Sequence, residues 1–301
     1  MPDILVIGSL NVDLVVRAPH FPQPGETISG DDLQVIPGGK GANQAVAVAR
    51  LGASVAMLGR VGKDNFGDFL VNNLKSNNVD SQLVQRDDAS TGTAIIVVDS
   101  NGQNSIVLSA GANGKVSSGD VNHAPFPAGG LLLLQLEIPI PTVLFAAQRA
   151  KESDVRVILN PAPAQELPAE LISLVDFIIP NESELALLTG LPVIDISSAE
   201  RAAKHLLEHG AHNVIVTLGS NGALVVTKEN TSHIPSFKVE VVDTTAAGDA
   251  FIGGFATALL EQKSLEDAVL YGCACGALAT SKFGAQPSLP SKEEVERFMS
   301  L

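Results

Sequence analysis

The sequence contains no tryptophan and a single tyrosine, and aromatic residues make up only 4% of its 301 residues. Its core must therefore be built from Val, Leu, Ile and Ala, the material of buried parallel strands and their covering helices. Basic residues are also scarce: 19 Lys and Arg face 33 Asp and Glu, for a formal net charge of −14. Neutralising a nucleic acid or an anionic membrane needs clustered Lys and Arg, so neither is expected as the main partner. A phosphorylated small ligand is still allowed, because helix N-termini, backbone N–H groups and a divalent cation can hold it locally. Only two cysteines occur, Cys273 and Cys275. They lie two apart in a predicted helix and so face different ways, which argues against a disulfide and for a reduced, cytoplasmic chain. Long apolar runs are missing as well. Those present are broken by Glu137 or Asp249 and are too short to span a bilayer. The opening MPDILVIG lacks a basic n-region and reads as a first strand rather than a signal peptide.

What is present is a rhythm of short apolar runs. ILVIG (Ile4–Gly8), LLLLQLE (Leu131–Glu137), VRVILN (Val155–Asn160), VDFIIPN (Val175–Asn181) and NVIVTLG (Asn213–Gly219) read as buried strands. Between the later ones, PTVLFAAQRAKES and SAERAAKHLLEHG have helical apolar spacing, the second ending at Gly210 as its C-cap. Alternating strands and helices predict an α/β fold: a Rossmann-like, mostly parallel central sheet with helices on both faces. GETISGDDLQVIPGG and TAIIVVDSNGQNSIVLSAGAN break the rhythm as β-rich segments. Asn101-Gly102 inside the second is a hairpin signal, and SNGAL (Ser220–Leu224) repeats it. These segments predict a small additional sheet, a lid or edge layer inserted at about residues 14–37 and 91–113 of one domain spanning residues 1–301. No internal repeat or clear linker divides the chain.

Two stretches carry chemistry. In PGGKGANQAVAVARLG, three glycines around Lys40 let the backbone approach a ligand, and helix-forming residues run from Ala42 to Gly52. A tight turn with a surface lysine would read the same way. It is not a Walker A loop, since no Ser or Thr follows Lys40. In AAGDAFIGGFATALL, a helix apolar on nearly every face carries one carboxylate, Asp249, in its first turn. Ala246, Ala247 and Gly248 are small enough to leave N–H groups open to a ligand, and Gly253 and Gly254 permit close packing. Such N–H groups stabilise developing negative charge, and a carboxylate beside them can take a proton from a hydroxyl. The plain alternative is an acid complementing the helix dipole. Asp243-Thr-Thr just ahead is positioned to cap this helix already, so a second acid adds little stability there, which favours catalysis.

GGKGANQAVAVARLG and DTTAAGDAFIGGF resemble the two signatures of the ribokinase-like (phosphofructokinase B type) carbohydrate kinases, in the right order and within a resemblance that covers essentially the whole chain. The resemblance implies a ribokinase-like fold and, as the reaction, ATP-dependent phosphorylation of a sugar, D-ribose at its 5-hydroxyl. It also implies roles for individual residues. Asp249 would be the catalytic base. Ala246, Ala247 and Gly248 would form the anion hole, Ala246 standing where the family more often has Gly. Asn11, Asp13, Gly39, Lys40, Asn43 and Glu137, with Asp249, would hold the sugar; amides and carboxylates suit vicinal hydroxyls, and a buried unpaired one is costly. Asn181 and Glu184 in PNESE would orient Mg²⁺ and its waters, although a capping Asn with a first-turn Glu is the structural alternative. Asn181, Thr217, Gly219, Ser220, Gly222 and Gly248 would contact ATP, as would Cys273, which stands where the family often has Asn. KFGAQPS resembles a monovalent-cation loop, with K⁺ held by Asp243, Thr245, Ala279, Lys282, Gly284 and Ser288. A homodimer through the lid is implied. Another pentose, a ketohexose, a nucleoside acceptor such as pseudouridine, and a non-catalytic sugar-binding protein are the alternatives. GSLNVD after the first strand lacks the glycine pattern of a dinucleotide dehydrogenase.

Overall fold

The segment ILVI has no polar side chain, so a strand made of it needs apolar cover on both faces. The structure, a computed structural model describing residues 2–300, supplies that cover. In chain order the first elements are β1 (Ile4–Ile7), β2 (Asn11–Arg17), β3 (Gln34–Gly38), α1 (Lys40–Arg50), β4 (Val55–Gly62) and α2 (Asn65–Ser76). Then come β5 (Val84–Asp87), β6 (Gly92–Val98), β7 (Asn104–Ser109), α3 (Ser118–Asn122), β8 (Leu131–Leu134), α4 (Ile140–Glu152) and β9 (Arg156–Leu159). They are followed by α5 (Ala169–Leu174), β10 (Phe177–Ile178), α6 (Glu182–Thr189), α7 (Ile196–Glu208), β11 (Val214–Thr217), β12 (Ala223–Val226) and β13 (Thr231–Ile234). The chain closes with α8 (Ala247–Leu260), α9 (Leu265–Thr280), α10 (Ala285–Ser288) and α11 (Lys292–Met299).

The large sheet has nine strands in the order β13-β12-β11-β10-β9-β8-β1-β4-β5. Pairings from β5 through β11 are parallel, and β12 and β13 add antiparallel. Side-chain alternation assigns Ile4 and Val6 to a core shared with α1, α8 and α9, and Leu5 and Ile7 to a core shared with α4 and α7. α8 packs on α1 where Gly253 meets Ala47: a Cβ at Gly253 would collide with the Ala47 methyl. From β1 the chain builds outward to β4 and β5 on one side and to β8 and its successors on the other. The order therefore reverses between β1 and β8, and the crevice beyond their C-terminal ends is where open α/β sheets bind ligands.

A separate four-stranded sheet runs β3-β2-β6-β7. β2 pairs parallel with β6 and antiparallel with β3, and β6 and β7 form the hairpin signalled by Asn101-Gly102. Its loop is longer than a two-residue turn: Asp99 Oδ1 accepts from the N–H of Asn101 and of Gln103, with Gly102 at φ 78°. Two expectations shift. Of GETISGDDLQVIPGG only Gln34–Gly38 is strand. Gly210 lies one residue beyond the cap of α7, which is His209. Asn11 and Asp13 sit on β2, the first strand of the small sheet, after the link Gly8-Ser9-Leu10. Both cysteines are free and buried. Among the described residues, no helix is long and apolar enough to cross a membrane.

Candidate active site

Beyond β1 and β8 the chain places Ser9 and Asn11 on one side of the crevice and Gln135 and Glu137 on the other. Glu137 Oε2 accepts from the Ser9 hydroxyl, from Asn11 Nδ2 at 3.3 Å and from the backbone N–H of Lys40 at 3.1 Å. The last bond gives the N-terminus of α1 an acidic partner that its own residues lack, since Gly39 at the cap has no side chain. Gly39 holds φ 89°, and a Cβ there would strike the backbone of Leu10 and Asn11. Asn113 fixes the other flank: it bonds both Leu10 N–H and C=O and donates to Asn11 Oδ1 at 2.7 Å.

Asp13 is 9% exposed, has no hydrogen-bond partner among the described residues and stands against Gly38, where a Cβ would collide with its carboxylate. Burial, and then the charges of Glu137 and Asp249, raise its pKa to about 7.

Asp249 lies in the first turn of α8, is 5% exposed, and is bonded at each oxygen by one amide. Asn43 Nδ2 donates to Oδ2 at 2.9 Å and Gln44 Nε2 to Oδ1 at 3.0 Å. Burial raises its carboxyl above the usual range, against the opposing pull of Lys40 and of the two amides. Burial would lower the pKa of Lys40, but Asp249, Glu137 and Glu184 outweigh it and hold the ammonium charged.

The start of α8 departs from the sequence expectation. Asp243 does not cap this helix. Its Oδ1 accepts from the N–H and hydroxyl of Thr245, and its Oδ2 from the N–H of Gly284, tying two loops together. α8 has no side-chain cap, and Ala246 enters it at φ 60°. Ala247 N–H reaches Thr244 C=O at 3.3 Å and Ala250 N–H reaches Ala246 C=O at 2.8 Å. Among the described residues, the N–H groups of Ala246, Gly248 and Asp249 have no backbone or side-chain acceptor. An uncapped helix end of this kind receives anions.

These groups share a cleft of about 190 Å³ that also meets Lys40, Asn181, Glu184 and Thr217. The alternative reading of Asn181 and Glu184 holds too. They form a complete capping box on α6, with Asn181 N–H donating to Glu184 Oε2 at 2.9 Å. Burial raises the Glu184 carboxyl, opposed by that bond and by Lys40. A second cavity of about 340 Å³ adjoins the first at Thr244 and runs between Val241–Thr245 with Phe283 and the inner face of the small sheet, including Asp13.

Other predicted residues sit at or beyond the rim. Thr217 bridges to Asn181, while Gly219 and Ser220 lie in an exposed 3₁₀ turn with Gly222 just after it; none of these three lines the cleft. Cys273 is buried on α9 outside the lining, and burial pushes its thiol up to about 12. In the predicted cation loop, Asp243, Thr245 and Gly284 converge, whereas the Ser288 hydroxyl donates to Ala285 C=O, Ala279 C=O accepts from Lys282 N–H at 3.3 Å, and the Lys282 side chain pairs with Glu294. Partial burial disfavours the Asp243 charge, but bonds from Thr245 and Gly284 hold its carboxyl below the usual range.

Five polar residues escaped the sequence reading: Ser9, Gln44, Asn113, Gln135 and Asn160. Gln44 left a trace, as an amide in an Ala/Val helix. Asn113 left none, because its partner Leu10 is 103 positions away.

Comparisons with known proteins give the family. Residues 1–292 match the pfkB family of carbohydrate kinases. The chain belongs to the pfkB carbohydrate kinase family. Among its pfkB relatives, a ribokinase of Haemophilus influenzae is 45% identical over 98% of each chain, and a deoxyribokinase of Salmonella typhimurium is 40% identical over 99% of each. The structure of Arabidopsis thaliana ribokinase complexed with ribose and ATP superposes with a TM-score of 0.91 at 34% identity, covering 100% of this chain and 99% of that one. As a pfkB kinase the chain has the large mostly parallel sheet and the small second sheet of the ribokinase-like fold.

Proposed function

We propose that this carbohydrate kinase transfers the γ-phosphoryl group of ATP to the 5-hydroxyl of D-ribose, giving D-ribose 5-phosphate and ADP, with Asp249 as the general base. One observation carries the reading: a buried carboxylate held by two amides opens into the same cleft as the unpaired N–H groups at the start of α8. Asp249 accepts the hydroxyl proton as the oxygen attacks, and the open N–H groups of Ala246 and Gly248, with that of Ala247 once it leaves Thr244 C=O, receive the charge that develops on the transferred group. The relatives that act on ribose, and the Arabidopsis complex with ribose and ATP, support both substrates.

Asn11, Asp13, Gly39, Lys40, Asn43 and Glu137 hold the sugar. Asp13 is the strongest support, since a buried carboxylate without a donor is completed by sugar hydroxyls. The oxygen of the Asn43 amide is likewise buried without a partner. Thr217, Gly219, Ser220 and Gly222 lie on the nucleotide side with Asn181, whereas Cys273 is buried in the core on α9.

The cleft region gathers Asp13, Glu137, Glu184 and Asp249 against one lysine. A triphosphate entering it requires added cations. Asn181 and Glu184 offer hard oxygen atoms that would suit Mg²⁺ and its waters. Held by these residues, Mg²⁺ would supply neutralisation of the phosphate charge. The loops joined by Asp243, Thr245 and Gly284 suit K⁺, which strengthens the field of the adjoining anion hole.

The small sheet acts as a lid on one kinase unit. Cross-strand register lines up Val35, Leu14, Ile95 and Val107 as one row across all its strands, with Val35, Ile95 and Val107 exposed. An apolar row of this kind calls for cover, which supports a homodimer through the lid. Two buried free cysteines support a reducing, cytoplasmic setting.

A second reading, 2-deoxyribose as acceptor, is favoured by the deoxyribokinase relative. The test is ADP release with ribose, 2-deoxyribose, a ketohexose and pseudouridine, in K⁺ and then in Na⁺, together with Asp249→Asn. Ribose is expected to give the highest kcat/KM, and Asp249→Asn to lose about a thousandfold in turnover while calorimetry still detects sugar. Wild-type turnover in Asp249→Asn would remove the base assignment; a preference for 2-deoxyribose would change the acceptor alone.

A further inference from the structure

Gln44 is fully buried near the start of α1, one position past Asn43, which is assigned above to the sugar. Its amide makes three bonds. Nε2 donates to Asp249 Oδ1 at 3.0 Å and lies 3.3 Å from Asn160 Oδ1, while Oε1 accepts from Gln135 Nε2 at 2.6 Å. Asn160 is itself oriented, because its Nδ2 donates to Ile179 C=O at 3.2 Å. Polarity therefore runs one way from a main-chain carbonyl. Turning the Gln44 amide over would set its oxygen against two other oxygens and its NH₂ against the NH₂ of Gln135.

We infer that Gln44 is a positioning residue for the phosphoryl transfer: backed by Gln135 and Asn160, it fixes the orientation of the Asp249 carboxylate. The inference rests on the assignment of Asp249 as base. Asn43 holds the other oxygen, but its own amide oxygen is buried without a partner and is assigned above to the sugar, so its loss would alter substrate binding as well. Gln44 does not line the cleft, so its contribution reaches the reaction only through Asp249.

The charged groups around Asp249 are Lys40 on α1, Glu137 after β8, Asp13 on β2 and Glu184 on α6. Three of these four are acidic and disfavour its ionised form. The Gln44 N–H opposes them, so removing it makes the base harder to ionise.

The experiment is the pH dependence of the single-turnover transfer rate, with KM for the sugar, in wild type, Gln44→Met, Gln44→Glu and Asp249→Asn. Gln44→Met is expected to move the acid limb to higher pH by about one unit, costing about tenfold in rate on that limb, with KM changed less than about twofold. Gln44→Glu sets a fourth carboxyl around Asp249 and moves the limb further in the same direction. An unmoved limb in Gln44→Met, or a loss confined to KM or to thermal stability, overturns the inference while an inactive Asp249→Asn preserves the base assignment. An active Asp249→Asn overturns both. Should Gln44→Met not fold, Gln135→Met removes the donor that orients Gln44 and is expected to move the limb the same way by a smaller amount; no movement there is equally decisive.

Discussion

In the nine-stranded sheet, every side chain of β1 and β8 is buried, half against α1, α8 and α9 and half against α4 and α7. In the four-stranded sheet, all six residues of β7 are exposed, Ile106 and Leu108 on its inner side as well as Val107 on its outer side. The large sheet is completed by its own helices. The small sheet is completed on one face by whatever fills the cleft and on the other by whatever covers the row through Ile95. The proposed base, Asp249, and the two amides that hold it belong to the first region. Asp13, which needs a ligand to complete it, belongs to the second. If the small sheet is a lid, as proposed, a firmly held base beside an incomplete lid would exclude water only when substrate is present.

The contrast between the two sheets is most severely tested on the outer row of the small one. Val107→Glu puts a charge into the proposed subunit contact and is expected to raise the dimer dissociation constant by well over tenfold, more than about 1.4 kcal/mol, as read by sedimentation velocity. An unchanged assembly would mean that the row is covered by nothing, and the lid is then a free layer. The reciprocal test lies in the large sheet. Gly253→Val drives a branched side chain into Ala47 and Val48 N across the α1–α8 contact. It is expected to cost about 1–3 kcal/mol in chemical denaturation and to lower turnover, because α8 carries Asp249.

The smallest effect is electrostatic. The Asp13 pKa is raised in the free protein, so the stability associated with its protonated form is present at low pH and is lost as pH rises through about 7. Sugar hydroxyls donating to its carboxylate favour the charged form. Binding at pH 7 is therefore expected to release about half a proton, from a group half protonated beforehand. Calorimetry in buffers of different ionisation enthalpy measures this, and Asp13→Asn is expected to abolish it. A release that survives in Asp13→Asn would assign it to another group.

Legibility in the sequence followed the range of the forces involved. ILVI, LLLLQLE and VRVILN announced strands because a strand buried on both faces must be apolar throughout, and the Asn101-Gly102 hairpin was readable because turn chemistry is local. Asp249 stood out as the one charge in an apolar helix. The role of Asp243 was misjudged for the same reason that Asp249 was found: an acid ahead of a helix looks like a cap, and only the approach of Gly284, 41 residues later, shows where its second oxygen goes.

By itself, then, the order of residues determined the alternation of elements, the two faces of the central strands, and the candidate groups at 11, 13, 40, 43, 137 and 249. Each depends on neighbours a few positions away or on motifs of known spacing. Tertiary structure alone decided that Glu137 would close the start of α1, that Gln135, Gln44 and Asn160 would line up behind Asp249, and that α8 would begin with open N–H groups. Those outcomes turn on hydrogen bonds between residues as many as 205 positions apart, whose partners are chosen only when the sheet order brings the ends of β1 and β8 together.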